Sequence, residues 1–144
     1  MERFTIQKND FLSHDCTGYF HLYYVGYGQP GNPDYLNTLK NIFVSTHPDT
    51  LRAASRQAAA LMIQDIPQVM DAEGLDTAIL MAVPRSKSGM CNWQLGFKAA
   101  VRTTVKALQA DGLSVIDGTD FIFRHTSTKM THLRKPVSNF ENTG

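Results

Sequence analysis

Cysteine is scarce: only Cys16 and Cys91 occur in 144 residues, with no close pair and no histidine at a zinc-like spacing. Neither a disulfide framework nor a zinc site is expected, and each cysteine reads first as a small apolar side chain. Long apolar runs are missing as well. The longest, Ala58 to Ile63 and Ala78 to Val83, hold six residues each, against about 20 for a bilayer span. The first ten residues lack the apolar stretch of a secretory signal and carry acid, which mitochondrial presequences avoid. A soluble, cytoplasmic chain with no membrane partner is therefore expected. Repeats and low-complexity tracts are also absent, and 42% apolar against 19% charged residues excludes disorder of the whole.

Net charge is small, +1, but unevenly spread. Residues 1–76 hold nine acids and five bases, whereas residues 77–144 hold four acids and nine bases. Any anion-binding work therefore belongs to the second half. Two windows there lack acid altogether: Thr77 to Ala110, with Arg85, Lys87, Lys98, Arg102 and Lys106, and Phe121 to Phe140, with Arg124, Lys129, Arg134 and Lys135. Long basic side chains also solvate ordinary surfaces, so clustering alone does not decide.

The order of elements indicates an α/β fold. Glycines and prolines punctuate residues 1–33, and the aromatic segment Tyr19 to Tyr27 reads as a strand ended by the turn residues Gly28 to Pro33. A short helix is expected over Asp34 to Val44. A stronger one starts near Thr46-His-Pro-Asp49, capped by Thr46 or Asp49, with His47 a capping neighbour. Its stripe is Leu51, Ala54, Ala58, Leu61 and Met62; Pro67 leaves either a kinked continuation or a separate turn, ending near Gly74. Asp76 to Val83 reads as a strand buried on both faces of a parallel sheet. Asn92 then caps a helix with the stripe Trp93, Phe97, Val101, Val105 and Leu108, stopped by Gly112. Leu113 to Ile116 and Asp120 to Phe123 read as a short antiparallel hairpin. One domain over residues 1–136 is expected, followed by a mobile tail, 137–144.

In open parallel sheets ligands gather at the carboxyl ends of strands. The loop after the most apolar strand is Pro84-Arg-Ser-Lys-Ser-Gly89, where Arg85, Ser86, Lys87 and Ser88 suit a phosphate or pyrophosphate near a helix start. It has neither the P-loop nor the dinucleotide glycine spacing, and a solvated loop is the competing reading. Arg124 to Lys135 packs four cations, two histidines and four hydroxyls into twelve residues, suiting a multiply charged anion; Arg124, His125, Thr126 and Lys129 lead it. A nucleic-acid arm is the rival, weakened because no aromatic residue is present to stack a base. His125-Thr-Ser127 has no second copy to make a two-histidine phosphoesterase, and His125 and His132 have no nearby acid for a metal. Cys91 reads as a thiolate at a helix start or, more simply, as structural. His14 and His21 show no partner.

The order Ala78-Ile-Leu-Met-Ala-Val-Pro-Arg-Ser-Lys-Ser-Gly89, a long helix, Ser114 to Thr119 and Arg124 to His132 resembles the first half of a phosphoribosyltransferase. The nearest group is the amidophosphoribosyltransferase-like bacterial proteins, and the likeness covers about residues 19–135. It implies pyrophosphate on Arg85, Ser86 and Lys87, a basic segment from Arg124 to His132 closing over substrate, and Mg²⁺. The apolar strand with two adjacent acids and the Thr/Gly-rich ribose-phosphate loop of that family have no match here; Asp117 and Asp120 are three apart. A ligand such as phosphoribosyl pyrophosphate or a nucleotide is thus expected, without turnover by this chain alone. The alternative is a noncatalytic regulatory or interaction module, such as part of a toxin-antitoxin or antiphage system, with a protein partner or a second copy.

Overall fold

The structure, a computed structural model, describes residues 1–10, 12–23, 25, 30–40, 47–83 and 92–122, with the backbone alone for 92–95. The elements run β1 (Glu2–Ile6), β2 (Cys16–Phe20), α1 (Asp34–Lys40), α2 (Pro48–Ala72), β3 (Ala78–Leu80), α3 (Asn92–Ala110) and β4 (Val115–Asp117). They form two small sheets, β1–β2 antiparallel and β3–β4 parallel. The class is mixed α/β, as the order of elements indicates.

The parallel pair is joined through α3, with Ala78 opposite Val115, Ile79 opposite Ile116 and Leu80 opposite Asp117. One face of it meets the helices. Met70, Val101, Val105, Leu108 and Val115 form the buried core, with Met62, Ile63, Ile66, Ala78, Leu80 and Ala82 packed around them. Among the described residues neither long helix lies over the other face, because side chains alternate along a strand and α2 and α3 pack on the first. Ile79 is 49% exposed, Met81 45% and Ile116 43%. The expectation that Asp76 to Val83 is buried on both faces is therefore corrected.

The expected hairpin over 113–123 does not form. β4 pairs in parallel with β3, and Phe121 N–H donates back to Gly118 O in a turn, so residues 120–122 make no strand. Pairing with β3 buries Val115 against the core, which a solvent-facing hairpin could not do. The antiparallel pair lies instead at the other end of the chain, where β1 went unread because its short Phe4/Ile6 alternation ends in polar residues. The aromatic strand is also shorter than expected. β2 stops at Phe20, and the N–H and C=O of Val25 bond the Asn32 side chain at 2.8 and 2.7 Å. A side-chain amide thus takes the groups that a strand partner would need.

Helix ends follow local chemistry. His47 itself caps α2, its Nδ1 accepting from Asp49 N–H at 3.2 Å with Pro48 in the first turn, so the cap is not Asp49; Thr46 lies outside the described residues. α2 continues through Pro67 to Ala72. Packing of Ile63, Ile66 and Met70 outweighs a proline cost of about 3 kcal/mol. Both long helices end alike. Gly74 and Gly112 take positive φ, Leu75 N–H returns to Met70 O at 2.8 Å, and Leu113 N–H returns to Leu108 O at 2.9 Å. Each is a Schellman end with an apolar pair across it.

α2 and α3 approach closely. The Ser55 hydroxyl lies 2.9 Å from Leu51 O and 3.0 Å from Gly96 O, and Ala59, Ala100 and Thr104 are almost wholly buried. Small residues on both helices let the backbones come near, which fixes how α3 lies over the sheet and where its polar side chains reach.

At the rim of the sheet, Gln109 Nε2 donates to Val115 O at 2.8 Å. Ala78 N–H donates to Ser114 O and Gly118 N–H to Leu80 O. By ladder alternation, Val115 and Asp117 then turn their peptide groups away from β3, and Ile79 turns its own away from β4. Gln109 thus takes the Val115 carbonyl on β4's outer edge, and no described residue bonds to Ile79 on β3's.

Candidate functional site

Lys98 and Arg102 lie one turn apart on α3, so both side chains leave the same face of the helix. α3 runs back from the carboxyl end of β3 to the start of β4, which brings its first turns to the carboxyl end of the strands. There the chain leaving β4 meets both cations. Lys98 Nζ donates to Asp120 Oδ1 at 2.8 Å, Arg102 Nη2 donates to Asp120 Oδ2 at 2.9 Å, and Arg102 Nε donates to Thr119 Oγ1 at 3.2 Å. Arg102 Nε also stands 3.5 Å from Asp117 Oδ2. Each oxygen of Asp120 is thereby held by a different cation.

Burial within this group is unequal. Lys98 is 5% exposed and Thr119 1%, whereas the Asp120 side chain is 68% exposed at the tip of the turn. Asp117 organises the turn from beneath, its Oδ1 accepting from Thr119 N–H at 2.9 Å. Hydrogen bonds from Thr119, side chain first and then backbone, hold the Asp117 carboxyl below its ordinary value, aided by the Arg102 charge. The Lys98 hydrogen bond does the same for Asp120, against a smaller opposing effect of burial, with the Lys98 and Arg102 charges adding to it. Both acids are carboxylates at neutral pH.

The residues singled out from sequence stand elsewhere. Arg85, Ser86, Lys87 and Ser88 lie outside the described residues, as do Arg124, His125, Thr126 and Lys129. By connectivity, residues 84–91 join the end of β3 to the start of α3, and residues from 123 onward follow the Asp120 turn. Both basic segments are therefore attached to this end of the sheet. Cys91 is also outside the described residues, while Cys16 is a half-buried free thiol near His14 O. His21 pairs with Asp65 at 2.8 Å, far in sequence from the turn, so it does have a partner.

Sequence reasoning named Lys98, Arg102, Asp117 and Asp120 without joining them. The signal was present: Lys98 is in helical register with Val101 and Val105, a cation on the buried stripe. A lysine there must find an acid, and Asp117 and Asp120 are the first acids after the helix and its stop at Asp111-Gly112.

Among the described residues no group of three or more His, Cys, Asp or Glu is arranged for a metal ion. Asp117 and Asp120 do not fit a resident Mg²⁺, since their carboxylates already face Lys98 and Arg102. A shallow groove of about 280 Å³ lies apart from this cluster, between α2 and α3, lined by Leu51, Arg56, Gly96 and Thr103. No described helix is long and apolar enough to cross a membrane. Comparison with family models, curated proteins and solved structures found no match.

Proposed function

We propose that this chain binds a phosphoribosyl or nucleotide phosphate at the carboxyl end of its parallel strand pair. The observation that supports it best is the β3–α3–β4 unit, since parallel strands gather ligands at this end and the Arg85–Ser88 segment departs from it. Arg85, Ser86, Lys87 and Ser88 would hold pyrophosphate, with Arg124, His125, Thr126 and Lys129 supplying further charge. Mg²⁺ would enter with the pyrophosphate of the ligand and not as an ion held by Asp117 or Asp120. In the related transfer chemistry charge builds on the departing pyrophosphate, so the two cations act electrostatically and no covalent nucleophile is needed. No segment of the sequence matches the loop that positions the ribose phosphate in phosphoribosyltransferases, so the chain's role is binding and not group transfer on its own.

Calorimetric titration with phosphoribosyl pyrophosphate tests this. Replacing Arg85 and Lys87 together with alanine should weaken binding by about 2 kcal/mol or more, the scale of lost charge-assisted hydrogen bonds. Equal affinity in both proteins would overturn the assignment.

One observation favours the second reading, a noncatalytic interaction module. Ile79, Met81 and Ile116 leave an apolar face on a parallel pair, and such sheets are ordinarily covered on both sides. A chain working through that face would keep its partner when Arg85 and Lys87 are replaced.

A further inference from the structure

A buried lysine is costly, and a salt bridge at its tip rarely returns more than the dehydration takes. Lys98 is nevertheless almost wholly buried, and its acid partner sits on an exposed turn. Two cations one helical turn apart grip the two oxygens of one carboxylate at 2.8 and 2.9 Å. That is the arrangement expected around two oxygens of a bound phosphoryl group, and it stands at the ligand-gathering end of a parallel pair. The buried ammonium cannot be left bare, so whatever displaces Asp120 must itself be an anion. Displacement is feasible because Asp120 is already 68% exposed and follows β4 by only three residues.

We propose that Lys98 and Arg102 form a phosphoryl-binding site which Asp120 fills, as a tethered competitor, when no ligand is bound. Thr119 completes the site. Its hydroxyl lies 3.2 Å from Arg102 Nε and fixes the guanidinium plane. Asp117 stays in place on the Thr119 N–H, so the emptied site carries two cations against one acid. The ligand class is a phosphate monoester or inorganic phosphate, whose negative charge exceeds that of the carboxylate it replaces. The proposal rests on the phosphate-binding reading of this strand end and adds a position outside the Arg85–Ser88 segment.

Inorganic phosphate titrated calorimetrically into the full chain is the test. Asp120→Asn keeps an acceptor for Lys98 and removes the competing charge, so it should bind about tenfold tighter if Asp120 fills the site some nine times in ten. Lys98→Met should lose this binding. In the unaltered chain, the amide resonances of Thr119, Asp120 and Phe121 should shift on adding phosphate, which decides the matter should a variant not fold. Asp120→Asn binding as the unaltered chain does, or more weakly, overturns the competitor; so do unmoved resonances in that turn. Retention of the tenfold gain in an Arg85→Ala, Lys87→Ala background would separate this site from the preceding loop. Absence of phosphate binding in every variant would overturn both.

Discussion

Lys98 and Asp120 meet at 2.8 Å from opposite environments, the lysine side chain 7% exposed and the aspartate 68%. The cost of breaking the pair therefore depends on which partner is removed. Asp120 without Lys98 remains in water and beside Arg102, whereas Lys98 without Asp120 is a nearly buried charge with no other acid, among the described residues, at salt-bridge distance.

Thermal melting of two single variants checks this. Asp120→Ala is expected to lower the melting temperature more than Lys98→Met, since methionine fills the same space without charge. Equal losses, or the reverse order, would contradict the burial difference described above.

Acid should weaken the same turn. Asp117 and Asp120 both have folded values below the unfolded value of 3.8, through Thr119 and Lys98 respectively. A depressed carboxyl contributes stability that is fully present above its unfolded value and is lost as pH falls through the folded one. Denaturant midpoints should hold near neutrality and drop below about pH 4, more shallowly in a chain carrying both Asp117→Asn and Asp120→Asn.

Much of the architecture was legible where chemistry is local. The stripe Val101, Val105 and Leu108 is buried as its spacing requires, and Gly74 and Gly112 stop helices by adopting positive φ. Pairing was not legible. Whether Val115 joins Phe121 in a hairpin or Ala78 in parallel depends on what the helices leave uncovered, and three-residue strands carry too little pattern to decide it. The cation pair was missed for a related reason: Lys98 and Asp120 are far apart in sequence, and only the path of α3 brings them together. Surface charge and buried charge look the same in a one-dimensional reading.

The close approach of α2 and α3 gives a third expectation. Ser55 is 6% exposed, with Gly96 O 3.0 Å from its hydroxyl. Ser55 stands where the two backbones meet at the edge of the groove between them, so Ser55→Leu should crowd Gly96 and destabilise the chain by about 1–3 kcal/mol, as overpacking does. Ser55→Ala should cost only about 1 kcal/mol, the worth of one hydrogen bond. Urea titrations of the two variants distinguish steric from polar loss.

Gln109 has a consequence for strand addition. A ribbon of strands can lengthen without limit only if both flanks offer free peptide groups to the next molecule. On one flank the Val115 carbonyl accepts from Gln109 and the Val115 N–H donates to Leu113 O, which leaves Asp117 alone to face outward there, whereas on the other flank Ile79 meets no described partner. Strand addition to this parallel pair is thereby hindered beside Val115, and a neighbouring strand would dock more readily along Ile79.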